Sequence, residues 1–229
     1  MTAGQTRLAV DIGGTFTDVV LEKDGEHATA KVLTTSSAPA KGFMEVVRLV
    51  LAETETAPGD IDLIIHGTTL ATNALIERSG AKTALIVTEG HRDSLEIAYE
   101  NRFDQYDINA DRLPPLVPRD LRWPVKERMT WRGEVITPLD EDSVDALIPE
   151  LERHEIESVA VGLLHAYANP AHEVRISEIL RDKFPKLPIS LASEVCPEIR
   201  EYERQTTTCA NAYVQPIVST YLKDLQARL

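Results

Sequence analysis

Asp11-Ile12-Gly13-Gly14-Thr15-Phe16-Thr17-Asp18 is the stretch on which the fold of this chain turns. An apolar run over 7–12 leads into it and is closed by an acidic residue. Two glycines then reverse the chain, and a segment rich in β-branched residues follows over 15–22. Adjacent glycines let bare backbone N–H groups approach an anion with no Cβ in the way. Thr15 and Thr17 add hydroxyl donors. Asp11 would repel a phosphate directly, so it suits such a site only through Mg²⁺ or a held water. The pattern differs from a P-loop, since no GxxxxGK[ST] occurs in the chain. It also differs from a dinucleotide turn, because the third glycine is missing and the glycines lead into a strand. A plain β-hairpin with a Gly-Gly turn is the structural alternative.

Outward from this turn, Asp24-Gly25 is a tight-turn dipeptide and 27–34 reads as a third strand. The chain therefore opens as a meander of three strands. A helix is expected over 39–55, where Phe43, Val46, Val47, Val50 and Leu51 recur at helical spacing behind Pro39. A strand at 61–66, a helix stopped by Gly80, a strand at 82–88 and a short helix near 91–98 follow. The segment 101–140 breaks the rhythm and reads as an irregular, proline-rich excursion packed through its apolar residues, with a hairpin turning at Arg132-Gly133. A helix over 141–154, a strand at 158–164, a helix over 170–183, a strand at 188–192 and a long C-terminal helix complete an α/β pattern.

Composition narrows the function. The chain has 229 residues, 43% of them hydrophobic, enough to bury a core. Lys and Arg number 24 against 37 Asp and Glu, a formal charge of −13. That balance disfavours a nucleic-acid protein and a polybasic membrane-surface protein. No run approaches the ~20 apolar residues needed to cross a bilayer, and the first residues lack the pattern of a secretory signal. Cys196 and Cys209 form no disulfide or zinc framework and read as reduced thiols of a cytoplasmic protein.

Two further segments carry candidate chemistry. In His66-Gly67-Thr68-Thr69-Leu70-Ala71-Thr72-Asn73, the threonines sit where a helix should begin. They cap that helix, or they place free N–H groups, Asn73 and His66 at a substrate crevice. In 198–204, Glu198, Arg200, Glu201, Glu203 and Arg204 form a solvated, ion-paired helix face, or they offer Arg204 to an anion and a carboxylate to a proton. Arg102, Asp104 and Asp107 lie in the irregular excursion and receive no role.

The strand–glycine–strand turn resembles the phosphate hairpin of the actin, Hsp70 and sugar-kinase superfamily. Taken with HGTTLATNAL at 66–75, NRFDQYD at 101–107 and EIREYERQTTTCANAYVQP at 198–216, it resembles the N-terminal region of the hydantoinase A/5-oxoprolinase family, over nearly the whole chain. The resemblance implies an actin-like (ribonuclease H-like) α/β lobe, a mixed sheet flanked by helices, plus a second small α/β part. It implies a family region over 1–180 and the start of the following domain over 181–229. It implies ATP and Mg²⁺ as cofactors, and as partner a hydantoinase B-type subunit or the C-terminal remainder of the same polypeptide. The activity implied is ring-opening hydrolysis of a cyclic amide after phosphorylation of its carbonyl oxygen. In that scheme Gly13, Gly14, Thr15 and Thr17 hold phosphate oxygens, and Asp11 and Asp18 are the catalytic carboxylates: Asp11 supports the metal and Asp18 steadies the loop or the metal shell. His66, Thr68, Thr69, Asn73 and Arg204 are the substrate candidates. A carboxylase-type subunit, a small-molecule kinase and a non-catalytic nucleotide-binding subunit are the alternatives. Gly13-Gly14 is the only adjacent pair among 11 glycines, and none follows Gly162. The second glycine-rich loop of such an ATP site is therefore expected outside these residues.

Overall fold

The computed structural model of the chain describes residues 5–35, 38–99, 106–109 and 113–229. These fall into two compact units: Met1–Ser79 with Ile217–Leu229, and Gly80–Pro216.

In the first unit, β1 (Arg7–Ile12), β2 (Phe16–Lys23) and β3 (Glu26–Leu33) form the expected antiparallel meander. Asp24 and Gly25 both take positive φ, 53° and 85°, which suits the two-residue turn between β2 and β3. Helix α1 (Pro39–Glu53) then crosses over, and β4 (Leu63–Thr68) pairs parallel to β1, giving the order β3-β2-β1-β4. Alternation decides the faces. Leu8, Val10, Ile12, Val19 and Leu21 are buried in one core with Phe43, Val46, Val47 and Val50 of α1. The short helix α2 (Leu70–Ile76) follows β4. The opposite sheet face carries Asp11 and Asp18 among exposed apolar side chains, Phe16, Val20, Leu33, Leu63 and Ile65.

The second unit is a parallel sheet built from β5 (Thr83–Thr88), β6 (Arg122–Val125), β9 (Ser158–Gly162) and β10 (Ile189–Leu191), in the order β10-β9-β5-β6. Helix α3 (Ser94–Ile97) lies between β5 and β6. The hairpin β7 (Arg128–Met129) with β8 (Val135–Thr137), then α4 (Glu141–Asp145) and α5 (Ile148–Arg153), separate β6 from β9. Helix α6 (Ala171–Lys183) joins β9 to β10. Helix α7 (Ala192–Val195) precedes α8 (Glu201–Arg228). All six residues of β5 are buried, as a sheet covered on both faces requires. This part is the larger of the two units.

Two expectations are corrected here. The excursion 101–140 contains a sheet strand, β6, which holds Pro124. β6 is an edge strand paired only to β5 among the described residues, so the proline's missing N–H breaks no ladder. The helix expected over 141–154 is two helices, α4 and α5, and Pro149 lies in the first turn of the second. Within NRFDQYD, residues 101–105 lie outside the described residues, and with them Arg102, Phe103 and Asp104. Asp107 is exposed, and its carboxylate accepts from the Asn109 N–H.

Candidate functional site

The glycine turn closes with Gly13 N–H donating to Phe16 O at 2.9 Å. Neither Gly13 nor Gly14 takes positive φ. Space, not handedness, is the reason for these glycines. A Cβ on Gly13 would stand 3.1 Å from Phe16 O, and one on Gly14 would stand 3.1 Å from the Asn73 amide nitrogen. The N–H groups of Gly14 and Thr15 have no acceptor among the described residues, and both residues are exposed. A crevice of about 240 Å³ opens here, lined by Ile12, Gly13, Gly14, Thr34, Asn73 and Glu77 among others.

Asp11 ends its strand on the exposed sheet face. Its cross-strand partners are Asp18 on β2 and Gly67 on β4, so all three share one row. A Cβ at Gly67 would lie 3.0 Å from Asp11 Oδ1. Gly67 thereby leaves the carboxylate room. Asp18 is held by Lys31 at 2.9 Å, its own partner on β3, and that ammonium also covers the Phe16 ring. Two carboxylates in register repel each other. A hard divalent cation with waters would relieve that repulsion, and one or two carboxylates suffice for Mg²⁺.

The other candidates divide. Thr17 is fully buried, and its hydroxyl bonds to Thr34 Oγ1 at 3.0 Å, while Thr34 donates to Gly13 O at 2.9 Å. It braces the turn from inside instead of facing an anion. His66 is also engaged inside the unit. It lies on the helix side of β4, where its Nδ1–H donates to Val10 O at 3.2 Å and its Nε2 accepts from Tyr221 Oη at 2.7 Å. The Phe43 ring meets it edge-on, and burial pushes the Tyr221 hydroxyl up to about 12. Thr68 Oγ1 accepts from Leu70 N–H at 3.1 Å, a local turn bond just ahead of α2, whose N-cap is Thr69. Thr69 donates to Ile12 O and accepts from Asn73 Nδ2 at 3.2 Å. The threonines thus set Asn73 over Gly14. Asn73 reaches the glycine turn, and Leu70 lines the same crevice.

Arg204 belongs to the second unit and is fully buried, not part of a solvated face. Its guanidinium donates to the carbonyls of Glu198 and Leu163 and lies 5.4 Å from the Tyr167 ring centroid. Further polar side chains gather beyond the carboxyl ends of the parallel strands, where no motif marks them in the sequence. There Glu127 accepts from Thr88 Oγ1 and from His172 Nδ1, the latter at 2.8 Å. Glu173 accepts from the Leu163 and Ser193 N–H groups, and burial raises its pKa. The strand-then-polar pattern in 158–165 and 122–128 was a signal for them. Among the described residues no group of three or more acidic, His or Cys side chains could hold a metal ion, and no helix is long and apolar enough to cross a membrane.

The model of the hydantoinase/oxoprolinase N-terminal region matches residues 7–184. The chain belongs to that family. It is 37% identical to the caprolactamase subunit alpha of Pseudomonas jessenii over 99% of this chain and 34% of the relative. It is 36% identical to the acetophenone carboxylase gamma subunit of Aromatoleum aromaticum, over 90% of this chain and 30% of the relative. The crystal structure of the ATP-dependent caprolactamase from Pseudomonas jessenii superposes with a TM-score of 0.87 at 36% identity, over 96% of this chain and 33% of that one. The mixed α/β fold of an actin-like lobe is therefore shared with that enzyme. The chain spans about a third of the length of these relatives.

Proposed function

We propose that this chain supplies the first phosphate-binding lobe of an ATP-dependent hydrolase. The enzyme opens a cyclic amide of the hydantoin, N-methylhydantoin or 5-oxoproline type by phosphorylating its carbonyl oxygen. The reading rests on one observation above others: unpaired N–H groups at Gly14 and Thr15 beside the exposed carboxylate of Asp11, in a hydantoinase/oxoprolinase-family chain. When bound, ATP with Mg²⁺ supplies the phosphoryl group that makes the amide oxygen a good leaving group.

The chain's own residues position and neutralise. Gly14 and Thr15 donate backbone N–H groups, and Thr15 its hydroxyl, to phosphate oxygens. Asp11 holds the hard cation through carboxylate oxygen. Asp18, pinned by Lys31, keeps a second negative charge in the same row. Thr17 and Thr34 keep the turn rigid, so its donors are pre-aimed. Asn73 walls the crevice above Gly14. The relatives named as alpha and gamma subunits support a further subunit, of hydantoinase B type, or a C-terminal remainder completing the site. We place the protein in the cytoplasm, in keeping with its two free cysteines.

A second reading is the carboxylase branch, in which the same lobe phosphorylates a ketone enolate. The acetophenone carboxylase relative supports it at nearly the same identity as the caprolactamase. Phosphate release across hydantoin, N-methylhydantoin, 5-oxoproline and acetone, with and without a hydantoinase B-type subunit, separates the two. Stimulation by cyclic amides is expected. Stimulation by acetone alone would move the chain to the carboxylase branch, and a flat panel would remove the phosphorylation mechanism.

A further inference from the structure

In the second unit the chain leaves β5 toward β6 on one side and β9 toward β10 on the other. β5 and β9 therefore flank a topological switch point, and open parallel sheets bind ligands in the crevice beyond the carboxyl ends of such strands. The residues that gather there are chemically capable. His91 follows β5, Glu127 and Arg128 follow β6, His165 and Tyr167 follow β9, and Glu201 opens α8. None of them belongs to the glycine-turn site.

Arg128 Nη1 lies 2.9 Å from His91 Nε2. A guanidinium only donates, so Nε2 accepts and the imidazole proton sits on Nδ1. That Nδ1–H has no acceptor among the described residues, and the ring is half-buried. Burial and then the Arg128 charge hold the His91 pKa below its ordinary value, which keeps the ring neutral. Glu127 is locked as an acceptor by Thr88 and His172. His165 is linked to Tyr167, whose ring lies under Arg204. The charged groups acting on His91 are Arg128, Glu201, Glu127 and His165. Arg204 lies 4.0 Å from Glu201, so two carboxylates stand against two guanidiniums and no positive surplus remains for an anionic ligand. An uncharged ligand with one acceptor and one donor matches what is left.

We propose that the carboxyl edge between β5 and β9 binds a small uncharged amide or lactam. His91 Nδ1–H donates to its carbonyl oxygen, and Glu201, a third exposed at its side chain, accepts from its N–H. Arg128 is a positioning residue that fixes the imidazole tautomer. The choice of an amide among uncharged carbonyl compounds rests on the cyclic-amide reading above; the site itself does not.

The test is a titration of the chain with 2-pyrrolidinone, with acetate and inorganic phosphate as charged controls, read on the histidine side-chain ¹⁵N resonances. Calorimetry with Mg·ATP runs on the same sample. Free His91 should show the Nδ1–H tautomer, and Arg128→Met should move it toward a mixture. The lactam should shift the His91 signals saturably, and the anions should not. His91→Phe and the conservative Glu201→Gln should each weaken lactam binding by about tenfold or more, the loss of one hydrogen bond. Lactam binding without Mg·ATP binding supports this site and counts against nucleotide binding by this lobe on its own. Mg·ATP binding with a flat lactam titration overturns this site and leaves the turn. Saturable acetate binding, or unchanged lactam affinity in both variants, overturns it as well.

Discussion

Gly14 is where a single atom decides most. Its missing Cβ leaves the space between two unpaired N–H groups and the Asn73 amide. Gly14→Val should lower Mg·ATP affinity by at least about tenfold by calorimetric titration. Gly14→Ala combined with Asn73→Ala separates the causes: restored affinity would assign the loss to the Asn73 contact and not to phosphate. Asp11→Asn should weaken Mg²⁺-dependent nucleotide binding while leaving the melting temperature within a few degrees, because the carboxylate is exposed and makes no hydrogen bond among the described residues. The two thiols should behave differently. Burial pushes the Cys209 thiol up to about 12, whereas Cys196 is half-buried. Iodoacetamide at pH 8 should alkylate Cys196 first and reach Cys209 only on unfolding, followed by mass spectrometry of peptides. Equal rates at the two sites would contradict the buried placement of Cys209.

Helix ends and strand edges show where local reading stops working. Gly80 reads as a helix stop, yet α2 ends at Ile76. The glycine is there because a Cβ would lie 2.1 Å from the Tyr213 ring of α8, while Ala81 N–H bonds to Tyr213 O. Gly80→Ala should therefore destabilise by about 1–3 kcal/mol in urea unfolding, the range for overpacking. Tyr213→Leu should recover part of that loss in the double variant. A purely local helix-stop role predicts no such recovery. β6 makes the same point in reverse. Proline signals a break in sequence, but at a sheet edge Pro124 costs no ladder bond.

At the scale of the molecule, each unit has its own core, one around α1 and one around β5 and β9. The first unit leaves one sheet face apolar and open, and β4 is an edge with Leu63, Ile64 and Ile65 all exposed. Surfaces of this kind mark a docking face. The 229-residue chain alone should accordingly show little substrate-stimulated phosphate release, and a hydantoinase B-type subunit or the remaining two thirds of a relative-length polypeptide should raise it. Robust stimulated turnover by the chain alone would remove the claim that its site is incomplete.

The sequence by itself determined the meander, α1 and the alternation of strand and helix. Those follow from periods of two and 3.6 residues and from turn residues such as Asp24-Gly25, all local properties. It also singled out Asp11, Gly14 and Thr15, because glycine pairs and strand-end carboxylates announce themselves in one dimension. Tertiary structure alone decided which threonine and which histidine face outward. Thr17 and His66 carry the right chemistry but sit on the helix-covered face, where Thr34, Val10 and Tyr221 use their polar atoms. It alone buried Arg204 and gathered His91, Arg128, His165 and Glu201 at one sheet end. His91 and Glu201 are 110 positions apart in the chain, and the parallel register of β5, β6 and β9 brings their strand ends to one edge.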